Sequence, residues 1–483
     1  MRWLVCGLFI HLLATAAAAQ PVGTPTMPAE QTSSLLQALD EMRARLDERR
    51  RLITEQSQQI EAQTRTIDLL RQRLDDAVAS ALRGGPASVN SSSPPQASAE
   101  EQASKRHPDL PEKIVTAGEF PGSIAIPGTN AALKLGGELR ASLVHTFGPL
   151  GTDDRFIASS IPVNSQDAGQ NARTTYTAAP TRANIDLRSP VPFGVMRAFV
   201  EGDFAGAGNT MRLRHSYIQL NRWMFGQTWS TFSDPEVEPI DLDFEGENAL
   251  SRLRQAQVRY TKPLREHLDF GVAIENPAPD LTGAEGVNVT PDFIARVRWE
   301  PDQGGQGWLT QAVHVQAAVL ARTLRGENVD QSLVSTGGLG VTLSGVLVPR
   351  WRSDDRIKFA MYSGWGIGRY INDLAAAGEQ DAVYDAATNS LRALPVSSAY
   401  VAYERRWQPR FLSSLAYGLV TVHNLDFQLD DSLYRTQRAT ANIAWTPIPR
   451  ADFLLEFLAG ERVNKDGQRG ASTQMQAGWK LRF

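Results

Sequence analysis

Phe293-Ile294-Ala295-Arg296-Val297-Arg298-Trp299-Glu300 sets Phe293, Ala295, Val297 and Trp299 against Ile294, Arg296, Arg298 and Glu300. Alternation with period two marks a β-strand with one apolar and one polar face, because successive side chains leave a strand on opposite sides. The pattern returns where Ala183, Ile185 and Leu187 alternate with Arg182, Asn184, Asp186 and Arg188, and again where Met196, Ala198 and Val200 alternate with Arg197, Phe199 and Glu201. After Ala131 about sixteen such segments follow, near 132–146, 180–189, 194–206, 210–221, 223–232, 251–261, 267–276, 291–300, 308–322, 332–346, 355–369, 395–406, 410–424, 433–446, 451–463 and 470–483. A soluble sandwich turns such apolar faces inward and a membrane barrel turns them toward lipid, so the period alone leaves both open.

Three features favour the barrel. The segment number is even, as bacterial single-chain barrels have it. Connections alternate in length: 148–178, 233–249, 277–289 and 371–394 are long, whereas 189–193, 262–267, 408–409 and 447–450 are short. The final stretch from Met475 alternates to an aromatic C-terminus at Phe483, an ending that resembles the signal read by the barrel-assembly machinery. Trp223, Tyr260, Trp299, Trp308, Trp351, Trp407 and Trp445 fall near segment ends, where interfacial girdles form. The fold class expected is all-β, a 16-stranded antiparallel transmembrane barrel preceded by an α-helical coiled coil.

Residues 1–19 read as a secretory signal peptide, with Arg2, an apolar run from Trp3 to Leu13 and small residues to Ala19. The only cysteine, Cys6, leaves with it, and Trp3-Leu4-Val5 before it does not match a lipoprotein box. The mature chain therefore has neither a disulfide framework nor a thiolate metal site. No later run is long and apolar enough for a membrane helix, so a spanning form has to be a closed barrel. A net charge of −4 argues against a nucleic-acid partner.

Between 30 and 83, Leu39, Met42, Leu46, Ile53, Ile60, Ile67, Leu70 and Leu74 recur at steps of four and three. This heptad track predicts a self-associating coiled coil about 65 Å long. Residues 84–130 begin with Gly84-Gly85-Pro86 and a Ser- and Pro-rich run, and read as a linker and lead-in to the barrel at 131–483.

Alternation assigns Arg140, Arg182, Arg197, Arg212, Arg214, Gln255, Gln257, Arg259, Arg296 and Arg298 to the polar face, as pore-lining and solute-binding residues. Arginine presents a planar fork matched to carboxylates and phosphates, and lining a pore with it lowers the barrier for anions. The segment carrying Asp234, Glu236, Asp241, Asp243 and Glu245 has no period and reads as a constriction loop. It is expected to fold inward, anchored by Trp229 and Phe232, with its carboxylates against Arg212, Arg214 and Arg259. On that reading, neutralising Asp241 and Asp243 strengthens anion preference. Asp241 to Gly246 begins like a calcium loop, but position twelve is Arg252 instead of a bidentate Glu. No metal, cofactor or catalytic group is assigned: His145, His215, His267, His314 and His423 are scattered, with no nucleophile motif beside them.

Leu213 to Tyr217, Phe225 to Phe232, Asp241 to Gly246 and Arg254 to Tyr260 resemble the central block of DcaP-like outer-membrane porins, and the layout of signal, coil, linker and barrel is similar. The resemblance implies a homotrimeric channel of a Gram-negative outer membrane, with its coiled coil in the periplasm, passing small organic anions such as dicarboxylates. The partners expected are outer-membrane lipid and lipopolysaccharide, the assembly machinery at Phe483 and small anionic solutes. Alternatives are a phosphate- or sugar-selective porin, or an envelope tether in which the coil reaches peptidoglycan and the barrel is an anchor.

Overall fold

The computed structural model describes residues 118–163, 172–301 and 310–483. The expected signal peptide, the coiled coil, the linker to residue 117 and Trp308 lie outside the described residues. Sixteen antiparallel strands form one closed barrel. They are β1 (Ala132–Thr146), β2 (Arg182–Val191), β3 (Gly194–Asp203), β4 (Arg212–Leu220), β5 (Trp223–Trp229), β6 (Arg254–Arg265), β7 (Leu268–Glu275) and β8 (Asp292–Trp299). They continue as β9 (Thr310–Glu327), β10 (Leu333–Pro349), β11 (Arg356–Trp365), β12 (Pro395–Gln408), β13 (Phe411–Val422), β14 (Leu433–Ile448), β15 (Ala451–Asn464) and β16 (Arg469–Arg482). Each strand pairs with its neighbours in sequence, and β16 closes on β1 from Glu138↔Arg482 to Thr146↔Gln474. Closure leaves no sheet edge, the condition for crossing lipid.

Local chemistry sets the short turns. Asn221, His267 and Arg450 take the left-handed conformation in two-residue turns, with φ of 54°, 70° and 71°. The apolar faces point out: Leu139, Leu143, Ile218, Phe225, Val258, Val297, Val341, Leu415 and Leu455 are all exposed. Trp223, Trp299, Trp351, Trp407 and Trp445 are exposed at or next to the short turns. Among the described residues no helix is long and apolar enough to cross a membrane.

Several boundaries differ from the alternation reading, β5 ending at Trp229 and β11 at Trp365 among them. The second segment has an upper piece, Arg173–Thr177, which pairs with β1 above β2. Arg252 precedes β6 and belongs to the loop. In the lead-in, Ile124–Ala125 turns back onto the start of β1, and Phe120 lies over Arg188, 4.2 Å from guanidinium carbon to ring centroid. Phe483 is tied to β1 by backbone bonds in both directions with Gly137.

The barrel's own core is made by loops that fold into it. Phe232, Val237, Ala249 and Leu250 of the β5–β6 loop pack with Ile367, Tyr370, Ile371 and Leu374 of the β11–β12 loop. Both lie against Ala360, Tyr362, Tyr400, Ala402, Ala416 and Val420 of β11 to β13. The helix α1 (Asn372–Ala377) joins them, its Asn372 and Asp373 amides donating to Leu250 and Asn248 carbonyls at 2.8 and 3.1 Å. Inward-pointing residues of β9 to β16 are consequently covered, whereas Arg182, Arg188, Arg197, Arg212, Tyr217, Arg259 and Arg296 on β2 to β8 keep solvent access.

Candidate pore constriction

The β5–β6 loop folds into the barrel, where Phe232, Val237, Ala249 and Leu250 are buried, and Phe232 is its root. Its ring is fully buried, 5.7 Å from Tyr362 and 5.5 Å from Tyr370 between centroids. Gly340 of β10 permits this approach, since a Cβ there would sit 3.2 Å from the Phe232 ring. Phe232→Ala is expected to lose about 3–5 kcal/mol of packing and to free the loop root. A lower unfolding temperature with a noisier open-channel current is the readout; unchanged values of both refute it. Trp229 has a different task from the anchoring expected of it. Its ring meets His215 at 5.6 Å and lies under Arg254 at 4.4 Å, bracing β4 to β6.

The pairing expected between the loop carboxylates and Arg212, Arg214 and Arg259 is not the one formed. Asp234 accepts from His314 at 2.8 Å and Ser344 at 2.7 Å, and Glu236 meets Arg298 at 2.9 Å. Glu238 pairs with Arg252 at 2.9 Å, Asp241 with Lys480 at 3.5 Å, and Asp243 with Arg438 at 2.9 Å. Glu245 lies 3.7 Å from Arg155. Wall carboxylates grip the loop backbone in turn: Glu404 accepts from Ile240 N–H at 2.6 Å, and Glu456 from Leu242 and Asp243 N–H at 2.8 Å each. The physical reason is that β9 to β16 offer inward Lys358, Arg438 and Lys480, whereas the arginines of β4 already have partners.

Those partners are wall carboxylates. Arg212 bonds Asp203 at 2.9 Å; Arg214 bonds Glu201 at 2.8 Å and Asp203 at 3.0 Å. Arg182 reaches Glu138 at 3.4 Å, and Arg188 and Arg197 share Asp186 at 2.9 Å each. The loop meets this side through Phe244, which lies between Arg155 and Arg212 at 5.1 and 5.3 Å. Arg140 is buried and donates to Leu242 O, Gln255 donates to Glu275 and Tyr370, and Gln257 accepts from Thr231 and donates to the Trp229 carbonyl at the end of β5. These three brace the loops, while Arg182, Arg197, Arg212, Arg259 and Arg296 stay accessible. At the long-loop end Arg212, Arg252, Arg254 and Arg369 line a cavity of about 260 Å³. The sequence reading missed Arg369, on an aperiodic loop, and the anchors Lys358, Glu404, Arg438 and Glu456, which strand parity could have marked as inward.

Burial shapes the loop's charge. It pushes the Glu238 carboxyl up to about 7 against the pull of Arg252, and raises Glu245 and Glu247 as well. Burial also works against an ionised Asp234, but His314 and Ser344 hydrogen bonds and the Arg298 charge hold it below the usual range. Burial likewise opposes an ionised Asp241, but the Lys480 and Arg252 charges hold it below the usual range. Among the described residues no cluster of His, Cys, Asp and Glu is placed to hold a metal ion.

The crystal structure of the outer membrane channel DcaP of Acinetobacter baumannii superposes with a TM-score of 0.66 at 22% identity, over 76% of this chain and 100% of that one. An anion-selective porin from Comamonas acidovorans gives 0.49 at 10% identity, over 73% and 100% of the two chains. Salmonella typhi OmpF in complex with daunomycin gives 0.45 at 10%, over 73% and 98%. No curated protein sequence matches the chain. The family model described as DcaP outer membrane protein matches residues 124–476, so the chain belongs to that family and to the outer membrane.

Proposed function

We propose that this protein is a passive diffusion channel that prefers small organic anions, dicarboxylates among them, and catalyses no reaction. One observation carries the reading: the accessible inner wall of β2 to β8 has more guanidinium groups than carboxylates, while the acidic loop turns Asp241, Asp243 and Glu247 to the opposite wall and meets β8 only at Arg298. An excess of fixed positive charge along a narrow aqueous path lowers the barrier for anions and raises it for cations. The crowding of carboxylates in residues 234–247 therefore does not cancel the preference. In this reading the channel works as a homotrimer, with the coil at 30–83 in the periplasm, and a tethering role is secondary. Reversal potentials in planar bilayers under a potassium chloride gradient test it. Anion preference is expected, and cation preference or the absence of conductance refutes the proposal.

A further inference from the structure

Phe199 on β3 and Tyr217 on β4 pair across the strands, with ring centroids 5.5 Å apart and ring planes at 33°. Both are half-buried on the lumen side. Tyr217 is there because of a bulge: Glu201 pairs with His215 and Gly202 with Leu213, so Arg214 is an extra residue and the inward parity of β4 switches after it. Beyond Tyr217 the next strand offers Gly226, and beyond that stands Gln257. Gly226 has φ of 126°, and a Cβ there would come within 2.2 Å of Ser216 O, so the wall stays bare beside the Tyr217 ring.

Diagonal to this bare spot, two residues past Gln257 and level with Met224, is Arg259 of β6, with Arg296 of β8 diagonal to it across β7. Arg296 lies over Gly271, its Nε 3.6 Å from where a Cβ would be. Among the described residues neither guanidinium makes a hydrogen bond or ion pair, and Arg296 Nε is buried without a partner. Every other arginine on this face of β2 to β4 has a carboxylate. Two neighbouring cations left without one repel each other, and an anion between them relieves that repulsion. Arg197, held by Asp186, covers the aromatic pair from one side at 5.0 and 5.6 Å.

Resting on the anion-channel reading, we propose that Phe199, Tyr217, Gly226, Arg259 and Arg296 form a saturable binding site for aromatic carboxylates. The ring lies over Gly226 against Tyr217, and the carboxylate accepts from Arg259 and Arg296. Tyr217 and Arg259 stand two strands apart and offset by two residues along them, about 12 Å between backbones by the strand spacings. A benzene ring bearing one carboxylate fills that distance with contact at both ends. A saturated ring of the same charge keeps the guanidinium contacts and loses the aromatic ones.

The test uses the full-length protein in planar bilayers, with benzoate and cyclohexanecarboxylate as blockers of the chloride current. Benzoate is expected to half-block at about five-fold lower concentration, the scale of one aromatic contact. Tyr217→Leu is expected to bring the two blockers together, and Arg259→Gln to weaken both. Phe199→Leu gives the same comparison if the Tyr217 variant does not assemble. Equal block of the wild-type channel by both acids, or an undiminished benzoate preference in Tyr217→Leu, overturns the inference. Reversal potentials from the same bilayers separate the two readings: potassium preference refutes anion selection itself, whereas anion preference without ring discrimination refutes only this site.

Discussion

Arg438→Met is expected to raise the single-channel conductance and make the open current noisy while the barrel stays folded. Arg438 is buried in the lumen face of β14, bonded to Asp243 at 2.9 Å, to Phe156 O at 3.2 Å and to Thr440 at 3.1 Å, with Glu247 at 3.8 Å. Removing the cation strands Asp243 and Glu247 in a buried site, which costs about 3–5 kcal/mol. The barrel does not bear that loss, because the backbone ladders of β14 with β13 and β15 are untouched. The loop bears it, and the carboxylates escape by moving toward water in the lumen. Adding Asp243→Asn to Arg438→Met should recover part of the wild-type conductance, since one stranded charge is gone. A wild-type conductance in Arg438→Met means that other anchors, such as Glu456 to the Leu242 and Asp243 amides, hold the loop alone.

Neutralising Arg259 and Arg296 together should lower the chloride-to-potassium permeability ratio about five-fold, because two fixed charges beside a watery path contribute on the order of 1 kcal/mol at a few ångströms. The effect should shrink as salt rises and screening shortens the reach of each charge. Asp186→Asn should act in the opposite direction. It removes the single carboxylate that Arg188 and Arg197 share and leaves both guanidiniums to the solute. Reversal potentials of the two variants must therefore shift to opposite sides of the wild type, and shifts in the same direction refute the assignment of the selective wall to β2–β8. Asp243→Asn is not the complementary test that the sequence reading makes of it, because Asp243 faces Arg438 and its loss disturbs the loop first.

Much of the barrel is legible in the chain because strand alternation and two-residue turns are local. Phe293 to Trp299 states its two faces within seven residues, and Asn221-Arg222 reverses the chain within two. Closure follows from the even series of segments and from Phe483, which ends the last strand beside Gly137. The acidic segment likewise announces itself as an aperiodic loop with an aromatic root at Phe232. Its partners are another matter. Leu242 and Glu456 lie 214 residues apart, and strand parity says only that Glu456 points inward. Which inward group meets which loop residue depends on the level each strand reaches in the closed barrel. That level is set by the summed registers of all sixteen strands and by the packing of the loop between residues 366 and 394. The bulge at Arg214 shows the same limit within one strand. Simple alternation from Arg212 and Arg214 continues inward through Ser216 and Ile218, yet Ile218 is exposed outside and Tyr217 lines the lumen. A single unpaired residue reverses every side chain after it, and whether a residue is paired is decided by the neighbouring strand.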